Sequence, residues 1–213
     1  MRADEAKDAV TDGMRLLDAV AETLTRATGE VQLPLHILLE NHFGDLNENQ
    51  EELLQVASAA ADRIDLASRQ LRRILDLEHG RITFQREAVR LVDVLRPVLA
   101  IAAARGEGRG VRVEFDPPPV SPFVVADRYF LGEALTALLA AVGDGAEGAT
   151  ELRVMLTSDE SRVGIRVDYA GAAPTGLEMA MAVRLVRAQQ GEVVTAVGRV
   201  TVTLRASSIG GGF

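Results

Sequence analysis

The sequence predicts an α+β protein in two parts, an N-terminal antiparallel helical hairpin over residues 1–80 and a mixed sheet with helices on one face over residues 81–213. Two observations predict it. Apolar or small side chains recur at alternating steps of four and three, first through Val10, Met14, Leu17, Ala21, Leu24, Thr28, Val31, Leu35, Leu38 and His42, then through Leu53, Ala57, Ala60, Ile64, Ala67, Leu71 and Ile74. That spacing is the seam of helices packed nearly parallel. Farther along, "VRVEF", "ELRVMLTSDESRVGIRVDYA" and "EVVTAVGRVTVTLRA" read as strands and hairpins interleaved with helical stretches; this mixture predicts a layered α+β arrangement.

Each element has its own local signal. Between the two seams lies "GDLNENQ", where Gly44 can end the first helix and Asn47 can N-cap the second, with Glu48, Gln50 and Glu51 in its first turn. Pro34 removes one hydrogen bond, to the Glu30 carbonyl, and predicts a kink in the first helix. One hairpin cannot bury both faces of two helices of about 30 residues, so two chains are expected to pair as a four-helix bundle in a homodimer. After "LEHGRITFQREAV" the pattern predicts a helix over 88–104, then a break at Gly106, Gly108 and Gly110. "DPPPVSP" is a rigid connector and "FVVA" a short apolar run. "DRYFLGEALTALLAAVGDG" is a helix opened by Asp127, and "TGLEMAMAVRLVRAQQG" is another. "SSIGGGF" reads as a frayed tail.

Composition removes several function classes. The 213 residues contain no cysteine, so there are no disulfides or thiolate metal sites. "MRADEAKDAV" is no signal peptide, and no apolar run approaches the roughly 20 residues of a membrane helix; a cytoplasmic protein is expected. The net charge of −8 sits entirely in residues 1–80, which hold 16 acidic and 8 basic side chains against 15 of each in the rest. This argues against nucleic acid or an anionic membrane as partner. The acidic excess reads either as a solvated helix face or as a surface selected for a protein. There is no nucleophile elbow, zinc-ligand spacing or Walker loop, and no metal site is expected.

The order of parts resembles the catalytic core of bacterial sensor histidine kinases, over about residues 20–205. "LDLEHGRITFQREAVRLVDVL" is similar to the family's exit from the second helix, "ADRYFLGEALTALLAAV" to the helix that ends in the N-box, "RVGIRVDYAG" to the strand before the first glycine box, and "GLEMAMAVRLVRAQQGEV" to the second glycine box. The resemblance implies a dimerising hairpin followed by a Bergerat-type, ATPase-like α/β sandwich. It also implies where the chemistry should lie, and there the residues depart from the family. The family's phosphoacceptor histidine, five residues before the helix proline, falls on Gly29, with Glu30 beside it. The N-box asparagine, which helps hold magnesium, falls on Ala141, and alanine offers no oxygen to a hard cation. Asp168 stands where the family's adenine-binding aspartate is expected; it reads as a relic, a turn-former or a real adenine contact. Only seven residues separate Asp168 from Gly176, where active kinases carry a long lid. Gly176 and Leu177 remain, but Glu178 takes the place of a phosphate-cradling glycine, and its charge would repel phosphate oxygens.

Acceptor, magnesium ligand, lid and phosphate loop have all changed, so loss of ATP and magnesium binding and of kinase activity is expected. What remains is a degenerate histidine-kinase-like dimer that binds a receiver domain through Gly29, Gln32, Leu33 and His36, or pairs with an intact kinase through its seam. The alternative is a relay. His36, seven residues after Gly29 and nearly in the same helical phase, could carry phosphate between receiver domains, as in the dimeric histidine phosphotransferases of similar architecture. Glu40 would orient its ring, or could simply be solvated; equally, His36 could be an ordinary polar residue. A third reading is nucleotide sensing through Asp168. His42 is expected at the bundle end, and His79 is given no role.

Overall fold

A computed structural model describes residues 2–40, 44–146 and 151–207, with the helical backbone alone described for residues 2–12. The chain forms two compact units, residues 1–81 and 82–213.

The first unit is a helical hairpin, α1 (Arg2–Leu39) and α2 (Glu48–Glu78). Asn47 caps α2 as the sequence predicts. Its side chain accepts from the Gln50 N–H while the Gln50 side chain accepts from the Asn47 N–H, both at 3.0 Å, a reciprocal capping box. The α1 helix runs unbroken through Pro34 and ends at Leu39, before Gly44. His42 lies outside the described residues. The register of the pair is fixed by polar contacts along one flank: Gln32 Nε2 donates to Asp62 Oδ1 (2.8 Å), Arg72 to Thr25 Oγ1 (3.2 Å), and Arg81 to Asp18 (3.2 Å).

The seam read from the sequence is divided. Ala21, Thr28, Ala61, Ser68 and Leu75 are buried, and the four small side chains among them let two helices approach closely. Leu17, Leu24, Val31 and Leu38 of the predicted α1 seam stay exposed, as do Leu53 and Ile64 of the predicted α2 seam. On α2 the buried set 61, 68, 75 is one position away from the predicted 60, 67, 74, although Ile74 is itself buried. Two neighbouring stripes of α2, 60/67/74 and 61/68/75, have side chains of matching size, and the second is the one buried along its length.

The second unit opens with β1 (Glu87–Arg90), then α3 (Leu91–Gly106), a 3₁₀ turn at Glu107–Arg109, β2 (Arg112–Phe115), β3 (Phe123–Ala126), α4 (Arg128–Gly145), β4 (Glu151–Ser158), β5 (Arg162–Asp168), α5 (Gly176–Ala188), β6 (Glu192–Ala196) and β7 (Arg199–Arg205). The main sheet has the order β2-β4-β5-β7-β6, parallel only between β2 and β4. Residues 88–90 were expected to be helical; they form a strand because β1 pairs antiparallel with β3, Ala88 opposite Val125, in a separate two-stranded sheet. One face of the main sheet is apolar: Val154, Ile165, Val167, Val200, Val202 and Leu204 are buried with Leu95, Leu131, Leu135, Leu138 and Leu185 of the helices. Burial of this size is the main stabilising term of the unit. The other sheet face carries Arg153, Arg166, Asp168, Arg199 and Thr201.

The N-terminus of α4 is held by a buried polar knot. Asp127 accepts from the backbone N–H groups of Gln85 (2.8 Å), Tyr129 (3.0 Å) and Phe130 (3.2 Å), and its own N–H donates to the buried Gln189 side chain (2.7 Å). Two of the three accepted hydrogen bonds, from Tyr129 and Phe130, satisfy donors that a helix start leaves orphaned, and the third ties Gln85 of the preceding segment to the same carboxylate.

Candidate functional site

On the hairpin, Gly29, Gln32, Leu33 and His36 share one flank of α1, as three- and four-residue steps require. A Cβ built on Gly29 would meet nothing within 4 Å, so packing does not demand glycine there. Leu33 is exposed, and Gln32 reaches across to Asp62 of α2. The His36 side chain is 71% exposed, with Nε2 at 2.9 Å from Glu40 Oε1. That contact fits an Nε2–H donating to the carboxylate. Nδ1 then keeps its lone pair, and it has no hydrogen-bond partner among the described residues. The i, i+4 spacing on one helix face produces this pair. His79 instead forms the C-cap of α2, 3.7 Å from Asp18.

In the second unit, strand parity decides where Asp168 points. Val163, Ile165 and Val167 face the helices, so Asp168 faces the other way and Tyr169 turns inward. The Asp168 carboxylate is engaged on that outer face. Arg166 Nε donates to Oδ2 at 2.8 Å, and Arg199, its direct partner on β7, donates to Oδ1 at 2.6 Å. The Arg166 hydrogen bond, joined by Arg199, holds the carboxyl below its ordinary range.

Tyr169 is the residue that sequence reasoning missed. It is 7% exposed, and its hydroxyl donates to the Ala172 carbonyl at 2.9 Å; burial pushes the phenol above its usual range. The segment after it is tied down on two sides. Gly171 forms a bridge with Ala146 at the end of α4, and its carbonyl accepts from the Gly198 N–H. At Gly171, φ is +147° and a Cβ would lie 2.5 Å from the Gly145 carbonyl oxygen, so the close approach requires glycine. The inward parity of Val163, Ile165 and Val167 already carried the signal for Tyr169.

The remaining expected positions surround this end of the unit. Ala141 is buried in α4, and Gly176 opens α5 at φ +94°. Glu178 lies in the first turn of α5, where a negative side chain is favoured by the helix dipole. Among the described residues no group of three or more His, Asp or Glu is placed to hold a metal ion, and no helix is long and apolar enough to cross a membrane.

No protein-family model matches the sequence, and no curated protein matches it. Solved structures do match in fold. The Acinetobacter baumannii histidine kinase AdeS is similar over 85% of this chain and 95% of its own, with a TM-score of 0.61 and 15% identity. Full-length ShkA, solved in complex with AMPPNP, matches over 88% of this chain and 46% of its own, with a TM-score of 0.67 and 18% identity. The catalytic domain of the histidine kinase ThkA covers 57% of this chain, with a TM-score of 0.50 and 13% identity. The chain therefore has the architecture of a histidine-kinase catalytic core, a helical hairpin followed by an ATPase-like α/β unit.

Proposed function

We propose that this chain is a catalytically degenerate histidine-kinase-like signalling protein. It acts as a homodimer by binding receiver domains on the α1 flank at Gly29, Gln32, Leu33 and His36, and it uses neither ATP nor magnesium. The observation that carries the reading is the fate of the phosphate chemistry. The acceptor position is a glycine that nothing in the packing requires, and the retained aspartate is closed between Arg166 and Arg199 on the sheet face away from the helices. Phosphoryl transfer rests on positioning and charge neutralisation, and Ala141 and Glu178 supply neither. The exposed seam residues Leu17, Leu24, Val31 and Leu38 support pairing of two hairpins. A partner kinase offering the same seam would be taken up in the same way.

The test is a titration of the dimer against a panel of receiver domains by biolayer interferometry. One or more receivers should bind, and Leu33→Glu should weaken that binding at least tenfold. If no receiver binds, or if Leu33→Glu binds as wild type does, the reading fails.

The contact between His36 and Glu40 favours a second reading, a histidine phosphotransferase. The free Nδ1 lone pair would attack the phosphorus of a receiver's aspartyl phosphate. The N–P bond forms as the P–O bond to the aspartate breaks, the carboxylate leaves, and Glu40 stabilises the cationic phosphoimidazole through Nε2–H. Loss of phosphate transfer in His36→Ala, with receiver binding intact, would establish it; unchanged transfer would exclude it.

A further inference from the structure

The two edges of the main sheet differ sharply. The β2 edge is four residues long, carries Arg112 and Glu114, and runs into Asp116 and Pro117–Pro119. Short length, charge and proline are the devices that keep an edge strand from pairing with another chain. The β6 edge, "EVVTA", is one residue longer, is followed by no proline run, and carries charge only at Glu192, its first position. Among the described residues no strand pairs with its outer side. Val194 is 54% exposed on it, and Val197 in the following turn is 81% exposed.

We propose that β6 pairs edge to edge with β6 of a second copy, antiparallel about a two-fold axis at Val194. Self-complementarity argues for a copy of this chain over a foreign peptide. Centred on Val194, the strand overlaps itself along its whole length: Glu192 meets Ala196, Val193 meets Thr195, and Val194 meets Val194. No charge faces a like charge, and the two central valines pack on the outer sheet face as a β-branched cross-strand pair. The pairing joins two five-stranded sheets and closes on itself, since a two-fold contact uses both edges at once. It is separate from the hairpin pairing proposed above. A chain with both contacts goes beyond a dimer, to a closed tetramer or an open string.

The direct opposition of residue 194 with itself supplies the test. Mass is measured by light scattering and analytical ultracentrifugation of the full chain as concentration is raised. Wild type is expected to exceed the dimer mass, and Val194→Lys and Val194→Glu to stop at the dimer, because each places like charges face to face. An equimolar mixture of the two variants is expected to regain the higher mass. In a Leu24→Glu/Val31→Glu background, which removes the hairpin contact, the edge alone gives a dimer that Val194→Lys converts to monomer. A wild-type chain that stays at the dimer mass while the Leu24→Glu/Val31→Glu chain stays monomeric overturns the proposal. So does a Lys and Glu mixture that stays as small as its components. Failure of the hairpin reading shows separately, as a Leu24→Glu/Val31→Glu chain with the same mass as wild type.

Discussion

At Ser68 a buried hydroxyl sits inside the hairpin with no hydrogen-bond partner among the described residues. Thr28, the buried small polar residue of α1, gives its own hydroxyl to the Leu24 carbonyl at 2.8 Å. An unsatisfied buried hydroxyl costs on the order of 1–3 kcal/mol, whereas an apolar side chain of the same size costs nothing comparable. Ser68→Ala is therefore expected to stabilise the hairpin by about 1 kcal/mol, read as a raised thermal midpoint. Asp168 behaves in the opposite way. Its carboxyl is held below the ordinary aspartate range by Arg166 and then Arg199. A depressed folded value means the stabilisation is fully present above the unfolded value of about 3.9 and is lost as pH falls through the folded value. Asp168→Asn should cost about 1 kcal/mol at neutral pH, and the gap from wild type should close in strongly acidic buffer. A penalty that does not change with pH would mean the two arginines do not hold the charge.

For the elements, the hairpin's exposed stripe makes the sharpest demand. Leu17, Leu24, Val31 and Leu38 recur every seven residues along α1, and Val31 alone is 52% exposed. Four large exposed side chains in one line form an apolar stripe of the kind that marks an interaction face. Leu24→Glu/Val31→Glu places two charges in that line and should abolish pairing through the hairpin while leaving its helicity intact, since both substituted positions are exposed. Sedimentation together with circular dichroism separates the two effects. Much of this was legible in the sequence, because a heptad stripe marks helices and period two marks strands. Which stripe turns inward was not. Ala60 and Ala61, or Ala67 and Ser68, are equally small, and only the antiparallel register fixed by Gln32, Thr25 and Asp18 selects between them. β1 was invisible for a related reason. "EAVR" has no strand pattern of its own and is extended because β3 lies beside it.

On the scale of the whole molecule, a helical hairpin is joined to an ATPase-like α/β unit, and in the proposed function the residues that would touch phosphate are replaced in each. The site was less legible than the fold because it turns on a single step of strand parity. Asp168 was identifiable as an acid at the end of β5; its outward direction, with Tyr169 filling the inward position, was present only as the alternation of Val163, Ile165 and Val167, and its two arginine partners were not legible. Nucleotide binding tests the combined result. Calorimetric titration of the chain with Mg-ATP and Mg-ADP into the millimolar range is expected to give no binding heat. Because the changes at Ala141 and Glu178 and the engagement of the retained Asp168 by its two arginines are separate features, Ala141→Asn alone and Glu178→Gly alone should leave that result unchanged. Neither opens the Tyr169–Ala172 segment, and neither frees Asp168 from its arginines. Binding tighter than about a millimolar, worth roughly 4 kcal/mol, would mean that this segment moves aside for the ligand. In that case loss of the heat in Asp168→Ala would mark a nucleotide sensor, and retention of it would direct attention to the inner face beside Tyr169.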